Sequence, residues 1–588
     1  MLRDRRIACL VIISLISHLS LLTLSAQDSL LLRDYQFVKR SDAWLTSQNA
    51  AGLTQFSTLN SHLSPLTSHL SISKAELSLT KSKGGLVDWY QSPDVLQATA
   101  TVESFTRISQ RAVVFGAMTY DNFSGHDMAG SAFFSPYSSS PYSSSPYSFS
   151  PYSTSPYSSS PYSFPPHNPF DIVEDSLVNT GTKHRDTYQL TGAVGVDVWR
   201  GLAAGIRLDY TAANYAKYKD LRHKSKLMDM TFTAGINYPL SIVNSQFTIG
   251  ANYLYRRTTE SLVFSLYGRE DKVYKSLIDY GAFMGRVEQF GSSGYTDKGQ
   301  EMPLVDDYNG LGLQLSIVHY PLSIFTSMTY ASRNGYYGRK SPYTITYTNH
   351  HADLLTFDAR LSWAVGGDLQ SPTSIFSADL TLSSENLENE ANTYRELANE
   401  SGAYYYEYYD PVKTANKLWK NGQFALTADL GINGELPAWT LMASLDWYNR
   451  QQTSYLYPYY RRQHLHNTKA TLSATRNLLT PKGVWTFSMT ASYQKGSGEP
   501  YTDLTFAEPS VKQSTPATMD AWLWREYQYI VAPQYSVGGS VAYAFVFPQT
   551  KLKTHVRLSA THRKANQTYE YSNGKDCTSL TLAVGCTF

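Results

Sequence analysis

The chain has 588 residues, 50 Lys and Arg against 48 Asp and Glu, and only 17% charged residues, so no basic surface argues for nucleic acid. Its 46 Tyr, 24 Phe and 10 Trp are instead an excess of amphipathic aromatics. Three cysteines exclude a disulfide scaffold.

Residues 1–26 read as a signal peptide: Arg3, Arg5 and Arg6 precede the apolar run Ile7 to Leu24, and Leu24-Ser25-Ala26 offers a small-residue cleavage site. A retained membrane anchor is the alternative. Cys9 lies too early to carry a lipid. Residues 27–74 form a short segment, periplasmic or lumen-facing, in which Ser41 to Leu53 is expected as a helix capped by Ser41 and anchored by Trp44 and Leu45.

From residue 75 to 588 the dominant signal is alternation of apolar and polar residues. Leu202, Ala204, Ile206, Leu208 and Tyr210 alternate with Ala203, Gly205, Arg207, Asp209 and Thr211. Such segments run about ten residues or more, the length of a tilted strand crossing a bilayer. After Ala26 no apolar run is long enough for a spanning helix, which leaves the closed barrel. Segments start near 75, 97, 111, 186, 201, 226, 243, 311, 323, 351, 372, 420, 437, 463, 484, 529, 552 and 577. The expected fold is therefore an antiparallel transmembrane β-barrel of about 18 strands. Its connections alternate between tight turns, such as Pro321-Leu322, and long links, the pattern of periplasmic turns and extracellular loops.

One extracellular loop, 133–168, repeats Ser-Pro-Tyr every five residues from Ser135, a composition expected to stay disordered or polyproline-like. It reads as a tolerated expansion or a Tyr-presenting adhesive spike. The link from Thr258 to Asn309 carries Leu262-Val263-Phe264, expected to fold inward as a constriction. The tyrosines 404–406, 408 and 409, and then Tyr455, Tyr457, Tyr459 and Tyr460, fall in external loops. Ligand stacking stays open for the first set, and the second suits an aromatic girdle. Leu580, Leu582, Val584, Cys586 and Phe588 share one face of the last strand and resemble the C-terminal signal that barrel-assembly machinery reads. Cys577 and Cys586, nine residues and about 30 Å apart on that strand, cannot bridge.

Twelve charged residues fall on the polar phase of their strands and are candidates for the lumen: Arg207, Asp209, Asp229, Asp358, Arg360, Asp379, Asp429, Asp446, Lys469, Lys553, His555 and Arg557. A lipid-facing charge costs a few kcal/mol near the midplane, whereas a lumenal one is hydrated or paired. They fit a water-filled pore or an ion-paired interior equally. Lys553, His555 and Arg557 would form a cationic ladder for anionic solutes. No catalytic signature is complete, and no cofactor or metal is expected. His350 and His351 point to opposite faces, and His464 and His466 point outward at the external rim.

Several stretches, Asn49-Ala50-Ala51-Gly52-Leu53, Tyr120-Asp121-Asn122-Phe123, Met128-Ala129-Gly130-Ser131-Ala132, Pro169 to Ser176 and Asp209 to Lys224, resemble an uncharacterised outer-membrane barrel family of gut-type Gram-negative anaerobes, a domain of unknown function. The resemblance implies the barrel and the outer membrane, and no activity. The Ser-Pro-Tyr tract departs from it. The leading expectation is a channel or partner-assisted transporter for a small solute, with a closed surface-binding barrel as the alternative and an enzyme a distant third. Expected partners are outer-membrane lipid and lipopolysaccharide, the barrel-assembly machinery, and a companion receptor or lipoprotein.

Overall fold

The computed structural model describes residues 31–57, 71–134, 167–174, 179–242, 245–267, 274–289, 302–366, 372–547 and 552–588. The signal peptide and the Ser-Pro-Tyr repeats lie outside the described residues.

Eighteen antiparallel strands close into one barrel. The wall begins with β1 (Ser71–Gly84), β2 (Asp94–Ser109) and β3 (Ala112–Met128). A short loop strand, β4 (Asp171–Glu174), precedes β5 (Gly181–Trp199), β6 (Leu202–Lys217), β7 (Arg222–Ile242) and β8 (Ser245–Ser265). A loop hairpin, β9 (Lys275–Gly281) and β10 (Met284–Gln289), leads to β11 (Met302–His319), β12 (Leu322–Ser341), β13 (Thr344–Val365) and β14 (Ser374–Ala391). A second hairpin, β15 (Tyr394–Ala398) and β16 (Tyr404–Tyr408), is followed by β17 (Val412–Asn433), β18 (Leu436–Leu456), β19 (Tyr459–Thr480) and β20 (Gly483–Thr505). The two-residue β21 (Ala517–Thr518) precedes β22 (Gln534–Phe547), β23 (Leu552–Ala565) and β24 (Asp576–Thr587).

Each wall strand pairs with its neighbours in chain order. The ring closes where β24 meets β1, from Lys74↔Thr587 to Gly84↔Cys577, and Phe588 exchanges two backbone hydrogen bonds with Ser73 (2.9 and 3.0 Å). Closure leaves no unpaired edge, which a bilayer demands. Leu580, Leu582 and Val584 face outward and are exposed, as are Leu77, Leu208 and Leu472 on other strands. Cys577 and Cys586 are free thiols.

Several strands start earlier on the external side than the alternation indicates: β11 at Met302 rather than 311, β13 at Thr344 rather than 351, β17 at Val412 rather than 420. There the outer face leaves lipid for water and the apolar phase disappears, while the hydrogen-bonded ladder continues. The strand expected from 529 starts at Gln534, because Asp520–Val531 is a helix.

The N-terminal segment also differs from expectation. Helix α1 (Tyr35–Ser41) is capped by Asp34, whose carboxylate accepts from the amides of Gln36 (2.8 Å) and Phe37 (3.1 Å). Helix α2 (Ala43–Thr46) is capped by Asp42 and not Ser41, and a 3-10 helix (Ala50–Ser57) follows. Ser41 instead donates its hydroxyl to the Val38 carbonyl, finishing α1.

Candidate functional site within the barrel

The lumen receives chain from both ends. From the periplasmic end comes the segment 31–57. Asn49 to Ala51 lie against a row of inward glycines: Gly195 pairs with Gly205, Gly205 with Gly235, and Gly250 follows on β8. A Cβ at Gly195 would stand 2.6 Å from the Ala50 carbonyl oxygen, and one at Gly205 or Gly235 would overlap the backbone of Ala50 and Ala51 or the Asn49 side chain. The glycines thus form a floor onto which this segment fits and no side chain would. The Asn49 amide donates to the carbonyls of Ile236 (3.0 Å) and Ala251 (3.3 Å) and to Gln314 (2.9 Å). Tyr35, Val38, Leu53 and Phe56 pack on Ile72, Phe105, Val113 and Phe115 of one wall. Lys39 pairs with Glu103 on the same wall (3.1 Å), and Arg40 crosses to Asp429 on β17 (2.5 Å).

From the external end, loops fold inward as a cap. Strands β4, β9, β10 and β21 form a small sheet, and helix α3 (Asp520–Val531) lies beside it. The expected constriction at Leu262-Val263-Phe264 is corrected: these residues continue β8, and the inward piece of that link is the β9–β10 hairpin. Leu262 and Phe264 still face inside and bury Ile278 and Tyr280 of the hairpin with Phe170 and Ile172. Trp89 meets Phe283 and Trp522 edge-on at 5.0 and 5.8 Å.

The cap is pinned to the wall by buried cations. Arg450 (β18) grips Glu526 of α3 through two bonds of 2.9 and 2.6 Å, both side chains 0% exposed. Lys417 donates to the Pro169 carbonyl (2.6 Å), and Glu174 of β4 lies between Lys183 (2.8 Å) and Lys217. Beside them a buried chain runs from His350 through Asp306 (2.5 Å), Arg333 (2.7 Å) and Glu385 (3.0 Å) to His167 (2.7 Å), whose ring stacks on Trp419 at 3.9 Å. Burial beside Glu526 pushes the Asp88 carboxyl, in the β1–β2 loop, up to about 8. Asp171 of β4 rises to about 7 by burial.

Most of the twelve candidate lumen residues meet partners in their own neighbourhood. Arg207 binds Asp209 (2.7 Å), Asp229 receives Arg256 (2.9 and 2.6 Å), and Arg360 binds Asp379 (2.5 Å). Asp429 takes Arg40 and Thr440, and Asp446 takes Gln423 (2.6 Å) opposite Lys469. Asp358 stands opposite Thr381 with one carboxylate oxygen unbonded. Lys553 donates to the carbonyls of Leu31 (2.9 Å) and Arg33 (2.5 Å). His555 (3.0 Å) and Arg557 (2.8 Å) share Glu76, so the three cations are not a free ladder. The twelve do not converge on one point.

His350 is buried and His351 exposed, on opposite faces as alternation requires. His464 and His466 lie on the outer face with rings 4.1 Å apart. Among the described residues no group of three metal-ligating side chains occurs.

A closed antiparallel barrel of an even number of strands, with exposed apolar residues on its outer face, is the fold of outer-membrane barrel proteins. The chain belongs to a family of unknown function, DUF6850, whose model matches residues 168–588. The stretches at 49–53 and 120–132 lie outside that match. No curated protein matches the chain. Solved structures that it is similar to include BauA, the ferric preacinetobactin receptor of Acinetobacter baumannii (9% identity, TM-score 0.37, covering 88% of this chain and 80% of that one). Others are the ferripyoverdine receptor of Pseudomonas aeruginosa (9%, 0.36, 88% and 72%) and the RagAB peptide transporter (10%, 0.35, 84% and 72%). At such identities the likeness is one of fold alone.

Proposed function

We propose that this protein is a gated outer-membrane conduit for a small solute, closed at rest by its N-terminal segment and its inward-folded loops. The observation that carries this reading is the seat of residues 49–51 on the glycine floor of β5–β8. The segment is no strand of the wall. It is held by side-chain bonds, a backbone bond from Glu435 to the Leu32 carbonyl and three apolar patches, none of them part of the barrel ladder, so it can leave without breaking that ladder. Eighteen strands, once emptied, are in the range that encloses an aqueous channel. The inward ion pairs tolerate water as an apolar core would not.

The test is conductance of the purified protein in planar bilayers. The intact chain is expected to be silent or nearly so. A variant lacking both 31–57 and the loops that carry the cap, 133–178, 266–301 and 506–533, keeps every wall strand and is expected to conduct steadily. A folded double-deletion protein that stays silent would sink the proposal.

A second reading, capture of a ligand or companion lipoprotein at the surface, is favoured by the β15–β16 hairpin, which leaves Tyr404 and Tyr408 exposed, with Tyr409 just beyond. Removing 394–408 should then abolish capture and leave conductance unchanged. The alternating C-terminal face through Phe588 supports delivery by the barrel-assembly machinery. None of these roles calls for enzymatic chemistry.

A further inference from the structure

On the outer face of strands β13 to β22 the lipid-facing wall is concave, with a hollow of about 690 Å³. Its floor is made of small side chains, Ala378, Ala428, Ala443, Ala474 and Ala491. Its sides are larger ones, among them Trp363, Leu472 (65% exposed) and Met489 (69% exposed). The cause is the register: Ala443 sits opposite Leu472, Leu472 opposite Ala491, and Ala474 opposite Met489, so small and large alternate across neighbouring strands. The hollow spans seven strands, about 29 Å at 4.8 Å per strand, too wide for a pair of acyl chains.

Directly above it the same strands carry an outward basic cluster. Lys420 pairs in register with Asn449, Asn449 with His466, and Lys495 with Thr468, next to His466 on its own strand. His466 is hydrogen-bonded to Asn449 (2.9 Å), and His464 lies against it, its ring bonded to Gln451 (3.3 Å). Lys420 and Lys495 are exposed, with no carboxylate partner among the described residues. Two other outward cations are spent on neighbours, Arg257 on Asp307 and Lys413 on Glu388. One carboxylate, Glu499, faces His464 at the upper margin, away from the two lysines.

The heights agree with a lipid. From the alanine floor to the basic cluster is four residues on β20 (Ala491 to Lys495), six on β18 (Ala443 to Asn449) and eight on β17 and β19 (Ala428 to Lys420, Ala474 to His466), about 13 to 26 Å along tilted strands, against about 15 Å for half the hydrocarbon thickness. With the basic cluster at the external headgroup level, the hollow runs from the depth of the outer-leaflet acyl chains down to the bilayer midplane.

We infer that this face is a binding site for a phosphorylated, multiply acylated glycolipid of the outer leaflet, some of its chains seated in the hollow and the others laid along the flanking strands, with its phosphates on Lys420, His466 and Lys495. Charge selects the headgroup and breadth selects the chain number. The inference rests on the outer-membrane location and is independent of conduction, so a silent barrel would leave it standing.

Native mass spectrometry of the full chain tests it with three probes: bis-phosphorylated hexa-acyl lipid A, the same glycolipid dephosphorylated, and phosphatidylethanolamine. The wild type should retain the first selectively. Each lysine replaced, as Lys420→Ala or Lys495→Ala, should weaken retention about fivefold. The triple variant with His466→Ala should lose selectivity and keep the heat-modifiable mobility of a folded barrel. If the triple variant fails to fold, Lys495→Gln alone carries the comparison. Ala443→Trp should fill the floor and weaken all three lipids alike. Equal retention of the dephosphorylated lipid or of phosphatidylethanolamine, or full retention by the lysine variants, would overturn the site. So would a wild-type dimer that the triple variant converts to monomer.

Discussion

Arg450 and Glu526 are a fully buried pair joining the wall to the external cap, and their burial sets the cost of breaking it. Arg450→Met leaves the Glu526 carboxylate without its cation, a loss of about 3–5 kcal/mol for a pair of this kind. The barrel ladder is untouched, so the loss falls on α3. Limited proteolysis should cut the 506–533 loop faster in the variant, with the barrel itself intact. Asp88 adds a pH term. Its carboxyl is raised to about 8, by burial first and by Glu526 second, against Arg450 and Arg525, which lower it. The closed cap therefore holds a proton that an opened cap releases, so the stability of the closed form falls as pH rises from about 4 to about 8. Cap protection should weaken over that window, and Asp88→Asn should flatten the dependence. Protection that rises with pH would contradict this assignment.

At the scale of elements, legibility follows the physics that shaped each one. All eighteen wall strands were readable because lipid on one side and a polar interior on the other impose a strict period of two. Strand ends beyond the membrane were not, since water on both sides erases the contrast. Helix α3 was missed because its buried residues, Trp522, Leu523, Glu526 and Ile530, include charges that only the barrel interior satisfies. Of the lumen site, the charged residues were legible by parity, but some of their partners lie far off in sequence, as with Arg40 and Asp429, 389 positions apart, and His555 and Glu76, 479 apart. The glycine floor left a signal that parity alone could have found: Gly195, Gly205, Gly235 and Gly250 all occupy inward positions. Gly205→Val should dislodge residues 49–51 and raise hydrogen exchange across 35–57. Gly192→Val, whose added atoms meet open space outside, is the neutral control. Equal exchange in the two variants would mean that the floor does not hold the segment.

At the scale of the molecule, the two fillings lie in series along one lumen, so their removal should not be additive. Either one alone keeps the path shut, and only the double deletion opens it. The seat of the N-terminal segment, once emptied, then has a predictable charge preference. The segment 31–57 carries Arg33, Lys39 and Arg40 against Asp34 and Asp42, a net of +1. Its loss strips Glu103 of Lys39 and Asp429 of Arg40, freeing two wall carboxylates. It frees Lys553, which had been donating to backbone carbonyls, while Arg107 and Arg360 each lose one carbonyl of the segment but keep the Gln110 carbonyl and Asp379. Inward charges that touch neither filling, such as Arg256 with Asp229, stay paired with wall neighbours and cancel. The two carboxylates should therefore draw the double-deletion barrel toward cations, seen in the reversal potential in a KCl gradient. Adding Glu103→Gln and Asp429→Asn should move that potential toward anion selectivity. A potential that the two substitutions leave unmoved would mean that Lys553, His555 and Arg557 govern the lumen after all, with Glu76 failing to neutralise them.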